Sequence, residues 1–273
     1  MTGWPEDPLL PDAREALREA GARLVDLIHA VEQPSASAIG TWSVADVAAH
    51  LTHALTLDRD ALAGAVLPHT IVDERSMAQL NDQLLRSDPE RDPPALAARV
   101  AHLIAEIDVA AQHHQGGTVA WLGSAQLAPS AVVCHALEEC LMHGHDIAKA
   151  ARLRWPIERR HALLALEAGV FPLMSALPPE AMVDPSKAAN LRLTVDVRIL
   201  GGGRINMCLT DGRLELKPPT RRPDAHLVTD PADLMLTFLG RQGIARPIAR
   251  GRLVAWGRRA WLLPRLLGAL SPP

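Results

Sequence analysis

Tyrosine is absent from the 273 residues, and phenylalanine occurs only twice. With six tryptophans as the remaining aromatics, the core has to come from Ala, Leu and Val, a composition suited to closely packed helices. Cysteine is scarce too. Cys134, Cys140 and Cys208 are odd in number and lack metal-ligand spacing, so no disulfide framework is implied. Cys134 and Cys140 lie in an apolar helical run and read as small buried hydrophobes. No stretch reaches the roughly 18 apolar residues needed to cross a bilayer, and no membrane partner is expected. The N-terminus lacks a basic segment followed by an apolar run, so a cytoplasmic protein without a secretory leader is expected. The net charge of -3 gives no global electrostatic reason to expect a nucleic-acid partner. Internal repeats and low-complexity segments are absent as well.

Helical periodicity dominates the first two-thirds of the chain. It predicts helices over about 11–32, from Ser43 onward, over about 76–85 and again to about 112, over about 129–152 and over 158–176. The second start is the best marked. Ser43 can cap the helix, Asp46 can complete a capping box, and Trp42 can pack on Val47 as a staple. Pro129 suits a helical first turn, whereas Gln115-Gly116-Gly117 reads as a loop. The prolines at 178, 179 and 185 then mark a boundary, giving expected domains at 1–178 and 188–273. Beyond it, residues 191–199 alternate strictly and read as a strand. Thr210-Asp211-Gly212 reads as the turn of a hairpin between 205–209 and 213–217. A short strand at 225–229, a helix from Asp230 to about Leu239, a strand at 251–257 and a short final helix complete a small α+β domain.

The chemistry concentrates in two helical segments. Glu139 and His143 are four residues apart and share one helix face. His50, from a distant segment, supplies a third donor. Two imidazoles and a carboxylate leave a coordination position open, as in catalytic rather than structural zinc sites. The candidate metal ligands are therefore His50, Glu139 and His143. His135 continues the Glu139–His143 row by one turn and is an alternative ligand. Glu138 reads as a solvated neighbour, and His53 and His145 as supporting or surface groups. Asp146 either orients a ligand or binds backbone, the structural role being preferred. Met77, Met142, Met174 and Met182 read as core packing. Arg246, Arg250, Arg252, Arg258, Arg259 and Arg265 read as a solvated surface; the functional alternative is that one of them pairs with a substrate carboxylate.

Trp42–Leu51 resembles the helix-opening signature of the mycothiol-dependent maleylpyruvate isomerase family, part of the wider DinB-like group of metal-binding four-helix bundles. Glu139–Ala148 resembles that family's second signature, a Glu four before a His, followed by Gly, any residue and Asp. Arg222–Leu227 and Gly251–Val254 are similar to the sterol-carrier-like domain that often follows the bundle. His145 departs from the pattern, standing where the family often has an aromatic residue. The resemblance implies a mainly α fold plus an α+β tail: a DinB-like bundle, then a sterol-carrier-like domain. It places a divalent metal, most often zinc, on His50, Glu139 and His143. It implies mycothiol as thiol cosubstrate, a small electrophile as substrate, and an isomerase or S-transferase. Asn81 falls where the family often has an Asn and is the candidate substrate contact. Beyond the metal ligands no catalytic residue is assigned. Competing readings are a non-catalytic lipid or small-molecule binder and a metal-dependent hydrolase. The electrophile, and a monomeric or dimeric state, stay open.

Overall fold

The computed structural model describes residues 7–67, 74–114, 116–122 and 125–270. The segment examined for a leader peptide (1–6) and Gln115 of the expected loop lie outside them. Two compact units emerge. One comprises Met1–Thr70, Ala78–Ile157 and Ala168–Val170; the other comprises Ile71–Met77, Glu158–Glu167 and Phe171–Pro273.

In the first unit, α1 (Leu10–His29), α2 (Val44–Leu62), α4 (Pro93–His113) and α5 (Pro129–Ala151) form the bundle. α1 and α2 each pack on both α4 and α5. The element between α2 and α4, α3 (Glu74–Ser87), is not one of these four. Each bundle helix buries an Ala- and Leu-rich stripe, such as Ala13, Ala16, Leu17, Ala20 and Leu24 of α1, and small side chains permit close approach. At Gly21, an added Cβ would lie 2.3 Å from Ile104 Cδ1 on α4.

The start of α2 follows its sequence signals. The Ser43 side chain accepts from the Asp46 N–H, and Asp46 Oδ2 accepts from the Ser43 N–H at 2.9 Å, closing the capping box. Two antiparallel ribbons were not anticipated: β1 (Ser37–Ile39) with β2 (Trp42–Ser43), and β3 (Val119–Trp121) with β4 (Ala125–Leu127).

The second unit carries α6 (Arg159–Leu164), α7 (Phe171–Ala176) and α8 (Pro185–Ala188). The continuous helix expected over 158–176 is interrupted by a π-helical segment, Ala165–Val170. Then come β5 (Arg192–Ile199), β6 (Arg204–Thr210), β7 (Arg213–Lys217) and β8 (Ala225–Thr229), followed by α9 (Pro231–Phe238), α10 (Ala245–Ala249), β9 (Leu253–Trp256) and α11 (Leu263–Ala269). The sheet order is β7-β6-β5-β8-β9; β5 and β8 run parallel and the other pairs antiparallel. Asp211 and Gly212, both at positive φ, make the two-residue turn between β6 and β7. Strand alternation sends Leu193, Val195, Val197 and Ile199 to the buried face. On the other face Asp196 accepts from Arg204 Nε at 2.5 Å and faces His226 Nδ1 at 2.8 Å.

The expected fold class holds: a helical bundle followed by an α+β unit. Met142, Met174 and Met182 are buried, as expected of packing residues. No described helix is long and apolar enough to cross a membrane.

Candidate metal centre

The structure brings His50 of α2 together with Glu139 and His143 of α5. One potential ligand atom from each lies within 4.8 Å of the others. Both histidines are buried, and Glu139 is half-buried. Glu139 Oε2 lies 3.2 Å from His143 Nε2 and 3.5 Å from His50 Nε2. Among the described residues, neither Glu139 Oε2 nor the buried His50 Nδ1 has a well-formed hydrogen-bond partner. Buried polar atoms normally find partners. An orphaned carboxylate oxygen lying between two imidazole nitrogens fits an ion held among the three side chains. The donor set, two imidazoles and a carboxylate, is a zinc-type set.

The surrounding groups fix the rings. His143 Nδ1 donates to Asp146 Oδ2 at 3.1 Å, which leaves Nε2 facing Glu139. Of the two roles open to Asp146, this contact fits the orienting one: its carboxylate meets the ring of a candidate ligand. Trp42 packs on the His50 ring, with centroids 5.0 Å apart. The His50 and His143 rings meet edge to face at 4.9 Å. Gly144, next to His143, is required by packing: a Cβ there would lie 2.4 Å from two carbons of the Trp155 indole. That indole is pinned by its N–H bond to Leu141 O at 2.9 Å.

Electrostatics divides the trio. Burial lowers the His50 pKa, and the neighbouring His143 adds to this, outweighing the pull of Glu139. Burial also opposes charge on His143, but the Asp146 hydrogen bond and the Glu139 carboxylate override it and push the pKa up to about 9. Glu139 resists its own burial penalty because both imidazoles face it, and its carboxyl is held well below the usual range.

His135 does not join the trio. Its Nδ1 faces both oxygens of Asp58, at 2.9 and 3.1 Å, and its Nε2 lies 3.6 Å from Glu139 Oε1. Burial works against a charged His135, but Asp58 and then Glu139 raise its pKa to about 10. Asp58 is fully buried and also accepts from Trp121 Nε1 at 2.8 Å. Sequence reasoning missed both Asp58 and Trp121. Glu138 is half-buried rather than solvated, and its carboxylate groups with His135 and Glu139. His53 turns to Asp88 at 3.2 Å, and His145 is half-buried. Asn81 lies half-buried on α3; among the described residues it has no hydrogen bond to the trio. Arg252 is engaged within its own unit, by Asp233 at 2.7 Å and Asp230 at 3.0 Å. Cys134 and Cys140 are buried as expected; burial first, then nearby carboxylates, pushes the Cys134 thiol up to about 12 and raises Cys140 as well.

Comparison with known proteins identifies the domain that carries these residues. Residues 13–148 match the model of the mycothiol maleylpyruvate isomerase N-terminal domain. Among solved structures, a mycothiol-dependent maleylpyruvate isomerase is similar at 17% identity and a TM-score of 0.54, covering 89% of this chain and 94% of that one. A variant of such an enzyme with one histidine replaced by alanine gives 16% identity, a TM-score of 0.53 and coverages of 89% and 93%. A sec-alkylsulfatase from Pseudomonas reaches a TM-score of only 0.34 at 15% identity; the match covers 53% of this chain and 25% of that one. No curated protein matches the sequence. Residues 13–148 span α2 and nearly all of α5, which carry the three converging donors, and through this domain the chain belongs to the mycothiol maleylpyruvate isomerase family.

Proposed function

We propose that this protein is a cytoplasmic, metal-dependent enzyme that presents a low-molecular-weight thiol, mycothiol, to a small electrophile, acting as an isomerase or an S-transferase. The observation that carries this reading is the convergence of His50, Glu139 and His143 inside a domain of this family. A divalent ion held there, zinc by the chemistry of the donors, would lower the pKa of a thiol at its remaining position and supply thiolate near neutral pH.

The chain's own residues prepare that chemistry. Asp146 holds the His143 ring with Nε2 toward Glu139. Burial keeps His50 neutral and available as a donor. Glu139 contributes the negative charge that favours a cation over a neutral occupant. Trp42 packs against the His50 ring and helps to fix it. Thiol addition to a conjugated carbon, rotation about the resulting single bond and loss of the thiol would make an isomerase. Retention of the adduct would make an S-transferase. Asn81 is proposed as a substrate contact, with the family resemblance as its support.

The test is metal content per chain in the wild type and in His50→Ala, Glu139→Ala and His143→Ala, followed by thiol titration of the loaded protein. The expected result is about one divalent ion, as in other three-ligand sites, lost in each variant, with turnover of conjugated electrophiles only when thiol is added. A folded wild type that neither holds nor takes up an ion would overturn the reading. Turnover without thiol would replace it with hydrolysis by bound water.

A further inference from the structure

Behind Glu139 runs a second line of polar groups that the proposed ion site does not use. His50 and Asp58 lie eight residues apart on α2, and His135 and His143 lie eight apart on α5. The helices run antiparallel here: His50 meets the His143 end and Asp58 the His135 end. Glu139 sits midway between the two histidines of α5. Its Oε2 faces His50 and His143, while its Oε1 faces His135 Nε2 at 3.6 Å.

Asp58 has no exposed surface. A carboxylate buried this deeply is costly unless donors surround it. Trp121 Nε1 and His135 Nδ1 supply them, and the Trp121 indole meets the His135 ring edge to face at 4.8 Å. Both nitrogens of His135 therefore face carboxylates, which can only accept when ionised. The ring spans from Asp58 to Glu139, with its orientation set at the Asp58 end.

We propose that Asp58 and His135 form a positioning relay for Glu139: Asp58 fixes the His135 ring, and His135 holds Glu139 Oε1 so that Oε2 stays aimed at His50 and His143. The proposal rests on the reading that these three residues hold an ion. Outer partners of this kind are worth roughly 10–100-fold in metal affinity.

The experiment uses the full chain, stripped of metal and checked for folding by circular dichroism. Zinc affinity is measured by chelator competition, and the visible spectrum is recorded after cobalt loading. The variants are His135→Phe, which keeps the ring shape without a donor; His135→Gln, which restores a donor; Asp58→Asn; and Asp58→Asn with His135→Phe. His135→Phe is expected to weaken zinc binding roughly 10–100-fold and to shift the cobalt bands at unchanged stoichiometry. His135→Gln should recover most of that loss. The double variant should be no weaker than His135→Phe alone, because Asp58 acts through His135. Should His135→Phe not fold, Asp58→Asn alone must still weaken zinc binding and shift the cobalt bands. Wild-type affinity and spectrum in folded His135→Phe or Asp58→Asn would overturn the relay and leave the ion site standing. Complete loss of the ion in both His135 variants, or two ions per wild-type chain, would make His135 a ligand instead. A wild type that binds no ion would overturn both the relay and the proposed function.

Discussion

Ion binding at the proposed site should release a proton, and the raised pKa of His143 makes that ring its expected source. Without a metal, His143 has a pKa of about 9, while His50 lies below its ordinary value and Glu139 well below its own. At pH 7 the metal-free trio therefore carries its proton chiefly on His143, beside a His50 whose pKa is lowered and a Glu139 held well below its usual range. A cation can enter only by displacing the proton on His143 Nε2. With a pKa near 9, only about 1% of His143 is neutral at pH 7, so apparent affinity should be roughly 100-fold weaker at pH 7 than on its plateau above pH 9. Between about pH 6.5 and 9 it should rise roughly tenfold per pH unit. Titrating zinc into the stripped protein in buffers of different ionisation enthalpy counts the protons released. Asp146→Asn supplies the control. The asparagine oxygen can still accept from His143 Nδ1, but the charge that raises the pKa is gone. Proton release at pH 7 should be smaller in the variant, and the rise in affinity should begin at lower pH. Equal release in the two proteins would refute the assignment of the proton to His143, because ionisation of water on the bound ion is common to both.

Two further outcomes follow from the same region. The metal-free protein should lose stability as pH rises from about 7 to 10. His143 and His135 have folded pKa values of about 9 and about 10, above their ordinary unfolded value, so their contributions are complete below the unfolded pKa and disappear as each folded pKa is passed. Urea midpoints across that range check this, and a flat profile would contradict it. Gly144→Ala should destabilise by about 1–3 kcal/mol through overpacking, because the new Cβ meets the pinned Trp155 indole at 2.4 Å. An unchanged urea midpoint would show that the indole can yield.

Much of this fold is written locally. The Ser43–Asp46 box, the Pro129 start, the alternation of 192–199 and the Asp-Gly turn each rest on neighbours in sequence, and each appears where expected. The misses have distant causes. The ribbons at 37–43 and 119–127 contain strands of two or three residues, too short for any periodicity to show. The π-helical segment contains Gly169, where an added Cβ would lie 3.0 Å from the Cys134 carbonyl carbon on α5, a closeness that no local pattern signals.

The site divides in the same way. His143 and Glu139 could be paired from one segment because a single helix sets their spacing, and Asp146 lies close enough to act on the same ring. Asp58 offered no such cue. An acid within a helix ordinarily means a solvated face, and Arg59 and Asp60 beside it reinforce that impression. Its burial depends on which residues of α5 lie opposite α2. Once His50 is matched with His143, however, the equal eight-residue steps to Asp58 and His135 leave little freedom. Both helices rise by the same increment per residue, so antiparallel packing that joins one end of the ladder brings the other end together. The information was present as two equal intervals in distant segments, and it acquired meaning only through the pairing of the helices.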